Sequence, residues 1–326
     1  MVDEFHLKGM TWDHSRGYDP MVATSALFSK RYPGLSITWE KRSLQAFADR
    51  PIEEMADKYD LMVIDHPHVG EIAQTGMLLA LDGVGHEEEL SNLAGQSVGI
   101  SHSSYEFNGR QWALAIDAAT PVAAFRPDQI KDAPQRWNEV LDLAKQGRVG
   151  FSLIPINALM TYFGLAKNKG YSVAEGSQLM ASDHSEEILE VMREIVCLMD
   201  EICLKLDPIG IYEWLGRTQR APAYSPFGYG YTNYSRAGYC QYPLEFTDAP
   251  GFNENGPRGT VIGGTGIAVS AQTLHPKEAV EYAFWIAGAE CQKGQFFHSG
   301  GQPGNALAWE SQECNDLTRN FFRNTR

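Results

Sequence analysis

The side chains of this 326-residue chain that could do chemistry collect in four stretches. The first, Thr11-Trp12-Asp13-His14-Ser15-Arg16-Gly17-Tyr18-Asp19-Pro20, follows a short apolar strand and gathers an indole, two carboxylates, an imidazole and a guanidinium. The second, Asp65-His66-Pro67-His68, ends the apolar run Leu61-Met62-Val63-Ile64. The third runs from Ala221 to Arg236 and carries Tyr224, Phe227, Tyr229, Tyr231 and Tyr234 on a glycine-rich backbone. Such rings can stack on a sugar or another flat apolar face while their hydroxyls make polar contacts. The fourth is Gly263-Gly264-Thr265-Gly266, where missing Cβ atoms let the backbone turn sharply or approach a ligand closely.

Two chemistries suit these stretches. Trp12, Asp13, His14, Arg16, Asp65, His66, Asp117, Tyr224, Tyr229, Tyr231, Gly264 and Thr265 form a polar and aromatic set able to bind a small polar solute. Alternatively, Asp13, His14, Asp65 and His66 supply a general acid and base if they converge within hydrogen-bond reach, which makes an enzyme the competing reading. His14, His66, His68 and His102 also invite a metal, but no HExxH or comparable spacing occurs, so neither metal nor cofactor is expected.

Positioning these groups requires an α/β framework. His6 to Met10 reads as a first strand, and Asp19 is expected to cap a helix with Pro20 in its first turn and Pro33-Gly34 beyond its end. Leu35, Ile37 and Trp39 alternate as a second strand, and a short helix is expected near Ile52–Ala56. The run before Asp65 reads as a strand covered on both faces, followed by a helix closing at Gly76. Successive βα units with polar residues at the strand ends point to an open, mainly parallel sheet. Trp112 to Ile116 and Val122 to Phe125 read as strands around a crossing at Ala118–Thr120, followed by a helix with Pro134 in its first turn, a strand at Phe151–Ile154, and two further helices, the longer with Ile188, Val191, Ile195, Leu198 and Ile202 on one face. Late in the chain, Val261-Ile262, the glycine turn, Ile267-Ala268-Val269 and a helix from His275-Pro276 make a return to the first core.

Composition narrows the class. The length suits two domains and 43% hydrophobic content supports real cores. Lys+Arg 27 against Asp+Glu 41, net −14, disfavours nucleic acid and anionic membrane as partners. No apolar run approaches the roughly 20 residues needed to cross a bilayer. MVDEFHLKGM lacks the basic start and apolar stretch of a signal peptide, so the expectation is periplasmic or extracellular if a signal was removed and cytoplasmic otherwise. The five cysteines are odd in number and lack a CxxC pair, so buried free thiols are the default.

Taken together, YDLMVIDHPHVGEIAQTGMLLALD, TPVAAFRPDQI, APQRWNEVLDLAK, SPFGYGYTNYS, GGTGIAVSAQTLHPKEAVEYAFWIAGAECQ and GGQPG resemble, in order, segments of the extracellular solute-binding proteins of ABC importers, sugar-binding branch. The resemblance implies a two-lobed periplasmic-binding-protein-like α/β fold with two chain crossings and a ligand cleft, no catalytic role, and importer membrane subunits as partners of a monomer. It places Tyr229 or Tyr231 where a tryptophan commonly stacks on sugar. Expected boundaries are 1–117 plus 262–305 for lobe one and 118–261 plus 306–326 for lobe two, hinged at Ala118–Thr120 and Gly263–Gly266.

Overall fold

The computed structural model describes residues 4–43, 55–175, 177–252 and 259–326. The chain divides into two compact units, 1–118 with 263–314 and 119–262 with 315–326.

In unit 1, β1 (Phe5–Trp12) leads to α1 (Ser15–Arg31), β2 (Leu35–Arg42) and β3 (Leu61–Asp65). The expected helix near Ile52 begins outside the described residues. β1 pairs in parallel with β2 along its whole length, Phe5 opposite Leu35 through Trp12 opposite Arg42, and in parallel with β3 at Gly9 and Met10. A 3₁₀ turn at His66–His68 then feeds α2 (Val69–Thr75), which ends on Gly76 at φ 69°. α3 (Glu87–Gly95), a small hairpin of β4 (Glu106–Phe107) and β5 (Arg110–Gln111), and the short β6 (Leu114–Ala115) complete the first passage.

α1 starts five residues earlier than the Asp19-Pro20 signal suggests. His14 is its N-cap, Nδ1 accepting from the Arg16 amide at 3.0 Å, so Pro20 lies inside the helix. Proline there leaves the Arg16 carbonyl without its usual i+4 donor.

Unit 2 begins with β7 (Pro121–Phe125). It continues through α4 (Trp137–Ala144), α5 (Pro155–Lys169), α6 (Ser182–Val196), α7 (Pro208–Arg217), β8 (Tyr224–Tyr229) and β9 (Glu245–Thr247). β7 is the middle strand of an antiparallel sheet ordered β8-β7-β9. Three expectations change here. Pro134 precedes α4, whose N-cap is Arg136. Phe151–Ile154 is extended without a ladder, since Leu153 bonds instead to the Cys203 carbonyl at 2.8 Å. α6 stops at Val196, so Leu198 and Ile202 lie beyond it.

The chain then returns as β10 (Thr265–Val269) and α8 (Pro276–Ala287). Val261-Ile262 forms no strand. β10 is wedged antiparallel between β3 and β6, giving unit 1 the order β2-β1-β3-β10-β6. The sheet is therefore mixed, not mainly parallel, because its fourth strand arrives from the far side of unit 2's sequence. α8 buries Ala279, Tyr282, Ala283, Ile286 and Ala287 in the unit 1 core, as their helical spacing predicts. Its Tyr282 ring meets Phe28 of α1 edge-on, and its hydroxyl lies 2.8 Å from Thr24 Oγ1, so the buried polar group is satisfied. The 306–314 stretch also belongs to unit 1, where lobe two was expected. The Ala306 amide donates to the Gln96 carbonyl at 2.7 Å and Trp309 Nε1 to the Pro303 carbonyl at 2.8 Å, tying it to that core.

Candidate functional site

Unit 1 brings its candidates to one edge of the sheet. Trp12 and Asp65 stand at the carboxyl ends of parallel strands β1 and β3, and Thr265 opens the antiparallel β10 at the same edge. Asp65 and Thr265 are direct cross-strand partners, which puts their side chains on one face. Asp117 is clipped alongside: its amide donates to the Thr265 carbonyl and the Thr265 amide to its carbonyl, both at 3.1 Å.

That crossing of backbones explains Gly264. It has φ 98°, and a Cβ built there would lie 2.3 Å from the Asp117 carbonyl oxygen and 2.8 Å from Ala118 Cα. Only a residue without a side chain allows the two segments to approach so closely. Gly17 plays a similar part under Trp12, whose ring occupies the space a Cβ would need, at 2.4 Å; the indole is accordingly buried.

Arg16 and Asp117 form a buried, two-pronged ion pair, with Nε on Oδ2 at 2.8 Å and Nη2 on Oδ1 at 2.5 Å. Their side chains are 4% and 1% exposed, so the pair sits where a lone charge would be severely penalised. Burial pushes the Asp117 carboxyl up, opposed by the guanidinium. Asp65 is different. Among the described residues its carboxyl has no hydrogen-bond partner, and burial together with the Asp117 charge raises its pKa to about 7 against a smaller opposing pull from Arg16. Thr265 Oγ1 is buried and, like the half-buried Asp65 carboxyl, unpartnered among the described residues. Beneath them the Tyr105 hydroxyl donates to the carbonyls of Ile64 at 3.3 Å and Gly264 at 3.4 Å. Burial raises its pKa far above the ordinary range. Tyr105 was not legible as a site residue, because SHSSYEF has neither periodicity nor a motif.

Other candidates are engaged elsewhere. Asp13 pairs with Lys41 at 2.7 Å, both half exposed. The His14 ring caps α1. His66 is half-buried, its ring edge-on to Tyr105 at 6.4 Å, and desolvation lowers its pKa, as it does for His102. Among the described residues no group of three or more His, Cys, Asp or Glu side chains is placed to hold a metal ion.

In unit 2, Tyr224 is fully buried with its hydroxyl donating to the Pro134 carbonyl at 3.2 Å, so the expected ligand contact is replaced by a structural one. Its place in the β8-β7 ladder, opposite Phe125, turns the ring into the core. Tyr229 is half-buried at the end of β8 and Tyr231 is 7% exposed. The Tyr212 hydroxyl donates to the Tyr229 carbonyl at 3.0 Å, and the Tyr212 and Tyr231 rings lie 6.2 Å apart, fixing this segment from behind.

No protein-family model and no curated protein matches the sequence. Solved structures do. Maltose-bound MalE3 of T. maritima superposes with a TM-score of 0.80 at 13% identity, over 98% of this chain and 88% of that one. An ABC transporter solute-binding protein from Agrobacterium radiobacter in complex with ribitol gives 0.78 at 20% identity, over 98% and 84%. UgpB from Mycobacterium tuberculosis in complex with glycerophosphocholine gives 0.75 at 16% identity, over 99% and 87%. The chain therefore has the two-lobed α/β fold of the periplasmic binding proteins, the fold of the ABC-transporter solute-binding proteins it matches.

Proposed function

We propose that this chain binds a small, hydroxyl-rich solute of no net charge, a sugar, a polyol or a polyol derivative, and delivers it to the membrane subunits of an ABC importer outside the cytoplasmic membrane. The observation that carries this reading is a pair of facing polar side chains at one sheet edge, the half-buried Asp65 and the buried Thr265, left without partners among the described residues. A native fold leaves such groups unsatisfied where a ligand completes them. Carboxylate and hydroxyl together accept and donate, which suits hydroxyl groups. Arg16 is held on Asp117 and serves chiefly to keep that wall in place. Tyr229 and Tyr231 are the ring-bearing candidates of unit 2. Solved relatives in fold hold maltose, ribitol and glycerophosphocholine.

Thermal denaturation against maltose, ribitol and glycerophosphocholine tests this, followed by calorimetry on any hit. A solute at 100 times its Kd stabilises the folded state by about 2.7 kcal/mol. Asp65→Ala should weaken binding roughly 5- to 150-fold, the loss of one buried polar contact. The solute should be recovered chemically unchanged; turnover would favour the Asp/His enzyme. A panel that leaves the melting temperature unmoved rejects the reading.

A further inference from the structure

Asp65 occupies an unusual electrostatic position. From α1 it faces Arg16, from the segment after β6 Asp117, from the turn before β4 Tyr105, and from β10 the Thr265 hydroxyl, while His66 and His68 follow it in the 3₁₀ turn. One guanidinium lies near two carboxylates, and its Nε and Nη2 both bond to Asp117. Asp65 is left without a hydrogen bond from the described residues, next to a like charge and half shielded from water. An ionised carboxylate in that setting is supported only by partial hydration and the more distant pull of Arg16, so the site favours the protonated acid until a donor arrives.

We infer that solute binding at the Asp65 edge of unit 1 is linked to release of a proton from Asp65, which makes capture of a hydroxyl-rich solute weaken progressively in acid. In the free protein below about pH 7 Asp65 is mostly the neutral acid. Solute hydroxyls then donate to both carboxyl oxygens, the O–H bond of the acid breaks, and the proton passes to solvent buffer. The anion so formed is held by donors that were absent before. This deepens the sugar or polyol reading and rests on it. The carboxyl's position near 7 places the change in the physiological range. Below that point affinity should fall about tenfold for each pH unit, because each binding event must first expel a proton.

The probe is whichever of maltose, ribitol or glycerophosphocholine gives the largest thermal shift. Calorimetric titration at pH 6.5 in PIPES and in ACES, buffers of different ionisation enthalpy, should yield different apparent heats corresponding to roughly three-quarters of a proton released per solute. Heats that agree between buffers while the solute binds would overturn the linkage and leave the solute-binding reading standing. If none of the three binds, both fall together. Asp65→Asn should make the heat independent of buffer. Should that variant bind too weakly for calorimetry, carbon-detected NMR of the free wild-type protein should show an aspartate carboxyl titrating near pH 7. That carboxyl should be missing from Asp65→Asn and moved to its ionised shift by solute at pH 6. A spectrum in which every aspartate carboxyl titrates below pH 5 would refute the proposal.

Discussion

Gly264→Ala is the most discriminating perturbation of the framework. Gly76 provides its control, since it too has positive φ, at 69°, but a Cβ there meets nothing within 4 Å. Alanine at Gly76 should therefore cost only the left-handed backbone penalty, about 1–2 kcal/mol. At Gly264 the same penalty applies, and the new methyl must also displace the Asp117 carbonyl oxygen at 2.3 Å and Ala118 Cα at 2.8 Å, both backbone atoms. Ordinary contact between such atoms is about 3.5 Å, so the segments must part by roughly 1 Å. Overpacking of this kind adds about 1–3 kcal/mol. The two segments are also joined by the paired Asp117 and Thr265 amide bonds, which parting them would stretch. Gly264→Ala should thus be about 2 kcal/mol less stable than Gly76→Ala. For a unit of 150–250 residues that is a further fall of about 4–8 °C in melting temperature. Calorimetric scans of the two variants decide the matter. If Gly264→Ala melts at or above Gly76→Ala, the close crossing at Asp117 does not constrain unit 1.

Arg16→Met should destabilise the protein by about 3–5 kcal/mol in urea titration, because it leaves Asp117 charged and buried, and Arg16→Lys should rescue little of this since an ammonium cannot span both oxygens. The Asp65 carboxyl should shape the pH profile of the ligand-free protein. Its folded pKa, about 7, exceeds the unfolded value of about 3.9, so the folded state holds an extra proton in that window. Its stabilising contribution is complete below about pH 4 and is lost as pH rises toward 7, on the order of 4 kcal/mol in all. Asp65→Asn should flatten that decline, and parallel pH profiles of the two proteins would contradict it. Tyr224→Phe should cost about 1 kcal/mol of stability, the bond to Pro134, while leaving calorimetric affinity for the solute unchanged.

The legible parts of the sequence were those with a strong period or an abrupt change of polarity. The apolar run into Asp65 located β3 and its polar carboxyl end, and the 3.6-residue spacing from Ala279 to Ala287 located the buried face of α8. The start of α1 was misplaced because Asp19-Pro20 imitates a helix start, whereas a histidine cap is a weak signal. The mixed sheet could not be inferred from local pattern, since β10 carries the same apolar run whether its neighbours are parallel or antiparallel. Tyr224 looked identical in sequence to Tyr229 and Tyr231, and its neighbours in the β8-β7 ladder alone assign it to the core. That Asp65 would be the carboxyl without a partner was likewise invisible, because it depends on Arg16 and Asp117, 101 residues apart, finding one another.

The position of β10 also governs how the polypeptide can acquire its structure. Translation delivers β1, β2 and β3 first, yet the strand that lies between β3 and β6 emerges only after all of residues 119–262. Until then the apolar β3, Leu61 to Asp65, has one open flank of unpaired amides and carbonyls, a template for any stray extended segment. The pairing that closes it spans about 200 residues of sequence, the sort of distant closure that slows folding. A nascent chain of this protein is therefore committed to a long wait with an apolar strand unguarded, and a chaperone's service to it would be to shield that flank until residue 269 has left the ribosome.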